Sequence, residues 1–194
     1  MGVNSRAKGQ RFELKLCRVL SAWWTGNDDC LRCRADDLPF FRTSGSGGWA
    51  TRRKRQDDNV AVKSQSGDLV TPESFPFALE LKHQEGWNWD PFFKRSDDWI
   101  VFKWWKQCVV AALAKERLPL LVFHRNNTPD WIMMPYVAFR MLQITDYIRY
   151  RKIGIGVSSE ITTLSRSFVV QMLKLVVRDK PSVAALIDDV FLPR

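Results

Sequence analysis

The chain has 194 residues, of which 45% are apolar and 26% are charged, the proportions of a globular chain with a core rather than of a disordered or fibrous one. The longest uninterrupted apolar run, from Cys108 to Ala114, is too short to cross a bilayer, and the N-terminal residues lack an apolar stretch, so we expect a cytoplasmic protein without a membrane partner. The formal net charge is +9, which indicates a polyanionic partner.

The positive charge is concentrated near the N-terminus. Residues 1–55 hold 12 Lys and Arg against 5 Asp and Glu, whereas residues 56–194 hold 18 against 16. Nucleic acid is the first candidate for the partner, and a basic surface that serves only solubility is an alternative. An anionic membrane surface is the second candidate, but it is disfavoured because the sequence shows neither a basic amphipathic helix nor a lipidation signal.

The four cysteines are predicted to be reduced thiols, because a chain without a secretory signal seldom carries a disulfide framework. Cys30 and Cys33 have the spacing of half a zinc site, but a tetrahedral site needs two further ligands. The two histidines, His83 and His124, lie far from this pair in sequence. Zinc binding is therefore disfavoured.

The first predicted element is a helix that begins near Asn4 or Ser5. From Phe12 to Trp23 the apolar residues recur at helical spacing and form one stripe. A short strand is predicted at Leu38–Arg42. Residues 43–67, rich in glycine, serine and basic side chains, follow as a long loop of the kind that often carries function.

The next predicted element is a strand from Phe77 to Gln84, because its apolar and polar side chains alternate with period two. Gly67–Val70 is predicted to begin its hairpin partner, with Thr71–Ser74 as the turn.

A second long helix is predicted at Trp99–Lys115, followed by two strands, Leu120–His124 and Trp131–Met134, joined by a turn-rich connection. Helices are predicted at 137–151, 168–177 and 182–190, with 153–167 as strand or loop. This mixture of helices and hairpins places the chain in the α/β class.

One group of charged residues is a candidate metal-binding and catalytic site. Glu80 and Lys82 project from the same face of a predicted strand, and Asp68 stands near the start of its predicted neighbour. Carboxylate oxygens suit Mg²⁺ or Mn²⁺, and a nearby ammonium can offset charge that develops on a phosphate. The alternative interpretation is a solvated strand face with a surface ion pair.

Gly67–Asp68, eleven intervening residues and Glu80–Leu81–Lys82 resemble the signature of the PD-(D/E)XK nuclease superfamily. The N-terminal half is most similar to archaeal-type Holliday-junction resolvases, through Lys8–Gly9 followed by Glu13, and through Phe41–Ser46. This resemblance implies a restriction-endonuclease-like core of a helix, a three-stranded hairpin sheet, a helix and a strand. A small chain of this kind suits a phage or a mobile element, and a phage-encoded chain would work in the host cytoplasm.

The resemblance also implies roles for individual residues. Asp68 and Glu80 would be the principal metal ligands, assisted by Glu13 and the Leu81 carbonyl, and Lys82 would be the catalytic lysine. The residues implied to contact DNA are Lys8, Arg42 and Ser44 or Ser46. The basic cluster Arg52, Arg53, Lys54 and Arg55 lies in an insertion that the resolvases lack, and its charge predicts that it binds the DNA backbone. Residues 1–136 would form the nuclease core with a basic insertion at 43–67, and residues 137–194 a C-terminal extension of the same domain.

The leading hypothesis is therefore a Mg²⁺-dependent DNA endonuclease that cleaves branched DNA, most of all four-way junctions, as a homodimer. The alternatives are a PD-(D/E)XK nuclease of restriction or recombination-exonuclease type and a non-catalytic DNA-binding protein. Trp49, Trp87 and Trp89 are candidates for stacking on unpaired bases. Most tryptophans of the second helix are predicted to lie in the core or at an interface.

Overall fold

The computed structural model describes residues 5–34, 37–42, 69–162, 164–169 and 171. The chain divides into two compact units, residues 1–75 and 76–194. None of the helices in these described ranges is long and apolar enough to cross a membrane. The division at residue 136 that the sequence suggested stays a prediction.

The first unit begins with helix α1, Ser5–Thr25, which confirms the predicted helix. Phe12, Leu16 and Leu20 of the predicted stripe are buried, because one face of the helix covers the core of this unit. The helix ends where Gly26 adopts a φ of +68°, a conformation that glycine reaches without strain. A single 3-10 turn, Asp28–Leu31, follows it.

Two short strands complete the described part of the first unit. Strand β1, Phe41–Arg42, pairs antiparallel with strand β2, Leu69–Val70. Phe40 and Phe75 pack edge to face, with ring centroids 5.0 Å apart, and both contact Trp24 of α1 in the same manner. This aromatic core holds the helix and the two strands of the unit together.

The second unit is a mixed α/β structure. Its elements in chain order are β3 (Phe77–His83), α2 (Asp90–Phe93), α3 (Ile100–Ala114), β4 (Leu118–His124), β5 (Trp131–Pro135), α4 (Tyr136–Met141), β6 (Tyr147–Tyr150), β7 (Ile153–Val157) and α5 (Ser159–Thr162). The strand at residues 77–84, the second long helix and the hairpin that follows it are confirmed.

The five strands of this unit form one sheet in the order β3-β4-β5-β7-β6. β3 and β4 run parallel through the crossover helix α3, and the other neighbours run antiparallel. The predicted hairpin between β2 and β3 is therefore wrong, since β2 pairs with β1 and β3 pairs with β4. The mixed α/β class is confirmed, whereas the three-stranded hairpin arrangement is not.

Helix α3 packs on β3 and β4 and supplies much of the core. Trp99, just before the helix, is 1% exposed and contacts Phe102 and Phe123 edge to face. Trp104 and Trp105 are buried, as predicted. Trp87 is buried as well, so its predicted role as an exposed base-stacking residue is wrong.

The predicted helix at 137–151 is wrong for most of its length. Helix α4 ends at Met141, and Gln143 adopts a φ of +56°, which turns the chain back toward strand β6. Gly154 and Gly156 of β7 lie under the ring of Phe139, where a Cβ at Gly154 would stand 2.4 Å from the ring. Two glycines in this strand thus allow α4 to approach the sheet closely.

Candidate functional site

Glu80 and Lys82 share one face of strand β3, as the alternation of the sequence predicts. Lys82 Nζ lies 2.7 Å from Glu80 Oε1, and the two side chains are 27% and 12% exposed. Their partners in the parallel ladder are Leu121 and Phe123, both fully buried. Glu80 thus presents a carboxylate beside apolar walls, with the ammonium of Lys82 as an ion partner.

Leu81 lies between these two residues, and its side chain is buried on the opposite face of the strand. The burial of that side chain fixes the strand in position, so Glu80 and Lys82 cannot exchange faces without exposing Leu81. This apolar anchor also fixes the backbone carbonyl that the sequence resemblance assigns to metal binding.

Glu13 and Arg42 form the corresponding pair in the first unit. The Nε of Arg42 donates to Glu13 Oε2 at 2.5 Å, and the side chains are 32% and 22% exposed. Arg42 is placed by β1, where Leu69 is its ladder partner. A predicted phosphate ligand and a predicted metal ligand are thereby brought together.

Cys17, one helical turn after Glu13, is fully buried. Burial raises the pKa of its thiol to about 12; the Glu13 carboxylate adds to the shift and Arg42 opposes it. All four cysteines are free thiols. Lys8, which is half-buried, lies on α1 beside Gly9, from which an added Cβ would be 4.0 Å from the Glu13 carboxylate.

Several predicted site residues lie outside the described residues: Ser44, Ser46, Arg52, Arg53, Lys54, Arg55 and Asp68. Their roles stay predictions. Within the described ranges, no group of three or more His, Cys, Asp or Glu side chains is arranged to hold a metal ion. The predicted site residues that the structure describes form two ion pairs, Glu13 with Arg42 and Glu80 with Lys82, and each belongs to a different unit.

Comparison with family models gives one match, over residues 4–180, to a family described as "Phage putative PDDEXK endonuclease". The chain belongs to this family of phage PD-(D/E)XK endonucleases. No curated protein matches the chain. No solved structure matches it either.

Membership of this family confirms the resemblance to the PD-(D/E)XK superfamily and implies nuclease activity. Nucleases of this superfamily generally use divalent metal ions. The carboxylate of Glu80 and the carbonyl of Leu81 are hard oxygen donors, the type of ligand that such an ion prefers. The family match also extends through most of the 137–194 segment, the predicted C-terminal extension.

In this PD-(D/E)XK endonuclease, Glu80 has a charged neighbour, Lys115, that the sequence did not indicate. It is half-buried at the end of α3, and burial lowers its pKa to about 8, with Arg117 contributing and Glu80 opposing. It stands 35 positions from Glu80 in the chain, so no local pattern could associate the two. The sequence offered one signal: Lys115 is the last residue of the predicted helix, and the dipole of a helix stabilises cations at its C-terminal end.

The two histidines also come together, which the sequence analysis did not foresee. His83 and His124 are partners in the β3–β4 ladder, and their ring centroids are 4.8 Å apart. His124 Nδ1 lies 2.9 Å from Asp130 Oδ1, and His83 Nε2 lies 3.3 Å from Asn126 Oδ1. Both histidines lie on the face of the sheet opposite to Glu80 and Lys82. Their contacts with Asn126 and Asp130 join the ends of β3 and β4 to the β4–β5 connection.

Proposed function

We propose that this chain is a Mg²⁺-dependent endonuclease that cleaves phosphodiesters in branched DNA, with the four-way junction as preferred substrate. The observation that carries the proposal is the Glu80–Lys82 pair on one face of β3, in a member of a PD-(D/E)XK endonuclease family. Such a pair supplies the acid and the lysine of the family signature.

The proposed metal ligands are the carboxylates of Glu80, Asp68 and Glu13 together with the carbonyl of Leu81. A bound Mg²⁺, for which Mn²⁺ would substitute, would supply a water of lowered pKa as nucleophile and neutralise phosphate charge. Asp68 and Glu80 are proposed from the sequence signature, and Glu13 from its place in the first helix. The contact of Arg42 with Glu13 supports a functional role for that carboxylate.

Lys82 acts on the phosphate side of the reaction. Its ammonium is held 2.7 Å from Glu80, beside the place where the carboxylate would bind the ion. A cation fixed in this position stabilises negative charge that develops on the phosphate oxygens, and it orients the attacking water by hydrogen bonding. Packing of Leu81 under the strand keeps the ammonium from swinging to the other face.

The DNA backbone is bound by basic side chains: Arg42, Lys8 and the basic cluster Arg52–Arg55. Ser44 or Ser46 provides a further contact. Contacts of this kind position the duplex and contribute affinity without reading sequence. The Arg42 side chain is 32% exposed while paired with Glu13, so its guanidinium can also be reached from solvent. The concentration of positive charge in residues 1–55 supports this assignment.

The preference for junctions is supported by the similarity of the N-terminal half to archaeal-type resolvases. Resolution of a junction needs two symmetric cuts, so we propose a homodimer with twofold symmetry. A restriction or recombination-exonuclease type of PD-(D/E)XK nuclease is the alternative, and dependence on DNA ends separates it from the proposal.

The test uses a labelled four-way junction and a linear duplex of the same sequence, each incubated with the full chain and Mg²⁺. Wild type is compared with Asp68→Asn, Glu80→Gln and Lys82→Ala, and with Lys103→Ala, which removes an exposed lysine from α3. We expect symmetric cuts in the junction from wild type and Lys103→Ala, and rates at least about a hundredfold lower from the other three variants.

Activity that survives all three substitutions would refute the site. Equal cutting of duplex and junction would refute the junction preference while leaving the nuclease. DNA binding without any metal-dependent cleavage would identify a non-catalytic DNA-binding protein.

A further inference from the structure

A second basic region lies at the far edge of the five-stranded sheet. Residues 136–152 contain four basic side chains, Arg140, Arg149, Arg151 and Lys152, and one acidic side chain, Asp146. The whole of 56–194 has a basic excess of only two, so this short segment holds more positive charge than its surroundings. Its four cations are exposed. We name Tyr136, Arg140, Tyr147, Arg149 and Lys152 the β6 surface.

Arg149 is the centre of the β6 surface. Its guanidinium stands over the ring of Tyr136, with the carbon 4.2 Å from the ring centroid, and its Nε donates to the Arg151 carbonyl at 3.0 Å. A guanidinium has five N–H donors in a fixed fork, and stacking on an aromatic ring restricts the fork to one plane. Arg149 is thus exposed and already ordered before any ligand binds.

Two phenols flank this guanidinium. The rings of Tyr136 and Tyr147 are 5.7 Å apart. A hydrogen bond from Tyr147 lowers the pKa of Tyr136 and raises the pKa of Tyr147, and the charges of Arg149 and Arg140 also favour the ionised form of Tyr136. Both arginines therefore raise the electrostatic potential at the Tyr136 hydroxyl, where N–H and O–H donors are also present.

The position of the β6 surface is fixed by close packing beneath it. Tyr147 is the ladder partner of Gly156 and Arg149 that of Gly154, and the ring of Phe139 fills the space over these glycines. Tyr147 in turn packs on Phe139, with centroids 4.9 Å apart. Tyr147 and Arg149 consequently stand on a strand and Tyr136 and Arg140 on a helix, while Lys152 lies in the β6–β7 turn.

We propose that the β6 surface binds the sugar-phosphate backbone of DNA at a site separate from the strand that carries Glu80 and Lys82. β3 and β6 are the two edge strands of the described sheet, four strand spacings or about 19 Å apart. The same DNA molecule could reach both edges, so the β6 surface would add affinity without taking part in the chemistry. The choice of DNA as the polyanion rests on the function proposed above.

DNA fits this surface better than a membrane does. Membrane surfaces are usually bound by amphipathic helices that insert apolar side chains between the lipids, whereas the β6 surface exposes guanidinium, ammonium and phenol groups on a strand and a short helix. Arginine forks and phenol hydroxyls are common ligands of backbone phosphates. Each cation that neutralises a phosphate releases counterions, so its contribution can be measured by varying the salt concentration.

The experiment measures binding of the full chain to a fluorescently labelled DNA duplex by anisotropy, in EDTA, across a series of salt concentrations. Arg140→Gln/Arg149→Gln is compared with Lys103→Gln/Lys106→Gln, which removes the same charge from the exposed face of α3. The slope of log affinity against log salt should fall by about 1.8 for the arginine variant, at about 0.9 per phosphate contact, and by less than half of that for the lysine variant. Arg149→Lys, which keeps the charge and tests for misfolding, should retain the slope of wild type within about 0.3.

Equal changes of slope in both double variants would overturn the proposal, because only net charge would then matter. Unchanged slopes would overturn it as well. Binding to anionic phospholipid vesicles is measured for the same variants. If the arginine variant loses vesicle binding but keeps DNA binding, the partner is a membrane surface and not DNA. Binding in EDTA does not require cleavage, so a failed nuclease assay leaves this result interpretable, and a failed binding result leaves the nuclease proposal to its own test.

Discussion

The ammonium of Lys82 lies 2.7 Å from the carboxylate of Glu80, so the ion partner of this carboxylate is another member of the proposed catalytic group. A divalent ion that binds Glu80 would have to compete with, or move, the lysine. The affinity of Glu80 for a metal ion therefore depends on the charge and position of the Lys82 ammonium.

The first prediction separates metal binding from catalysis. Lys82→Gln should tighten Mn²⁺ binding, roughly twofold to fivefold, because it removes a competing charge worth about 0.5–1 kcal/mol at this exposure. The same variant should lose DNA cleavage. Titration of Mn²⁺ by electron paramagnetic resonance measures the affinity, with Glu80→Gln as the variant that should bind more weakly. Weaker binding by Lys82→Gln would contradict the competition.

The second prediction concerns Arg42 and Glu13. If Arg42 leaves Glu13 to bind a phosphate, Glu13→Gln should tighten DNA binding in EDTA by about twofold to fivefold, the value of a partly exposed ion pair. The effect should disappear in an Arg42→Gln background. Asp28→Asn, an exposed acid of the same unit, controls for net charge. Equal tightening by Asp28→Asn would show that Arg42 is not involved.

The third prediction is a pH dependence of stability caused by Lys115. Its pKa in the folded chain is lowered from 10.5 to about 8, so between these values the unfolded chain binds more protons than the folded one. The free energy of unfolding contributed by this group therefore rises with pH across that window. Urea unfolding of wild type and Lys115→Gln at pH 7.5 to 10.5 should give a difference that grows with pH, and Lys103→Gln should give none. Parallel curves for wild type and Lys115→Gln would contradict it.

The fourth prediction concerns thiol reactivity. Cys17 is fully buried and its pKa is raised to about 12, whereas Cys33 is only half-buried. Alkylation needs the thiolate and access to it, so at pH 8 iodoacetamide should modify Cys33 at least roughly tenfold faster than Cys17. Peptide mass spectrometry over time measures both rates. Unfolding in urea should remove the difference, and equal rates in the native chain would contradict the burial of Cys17.

The fifth prediction compares two glycines. Gly154→Ala should destabilise the chain by about 1–3 kcal/mol, because its Cβ would stand 2.4 Å from the Phe139 ring. Gly9→Ala should stabilise it by about 0.5–1 kcal/mol, because Gly9 lies inside α1 and an added Cβ makes only an ordinary contact. Urea unfolding gives both values, and a shift in the same direction for the two variants would contradict the packing described at β7.

Elements specified by local patterns were predictable. The stripe from Phe12 to Trp23 predicted α1, and the alternation from Phe77 predicted the shared face of Glu80 and Lys82. The β4–β5 hairpin was predictable too, because its strands are separated by one short turn-rich connection. In each case the information lies within a few residues of the element.

Pairings between distant segments were not predictable in the same way. β2 stands close to β3 in the chain, so a hairpin was the simplest expectation, but the ladder of β2 is formed with β1, across the long 43–67 insertion. Lys115 reaches Glu80 through the α3 crossover, and the turn at Gln143 ends a helix that propensity alone would extend. Tertiary packing decides these features, and it leaves no periodic trace in the sequence.

The parallel pairing of β3 with β4 has a consequence for the order in which the chain folds. β4–β5 and β6–β7 are joined by short connections, whereas β3 must find β4 across 34 intervening residues, and closing a longer loop costs more chain entropy. We expect the two hairpins to form early and β3 to dock last, with amide exchange of β3 faster than that of β5. In that order Glu80 and Lys82 come into register only after the rest of the sheet exists, so an incompletely folded chain would lack the proposed catalytic pair.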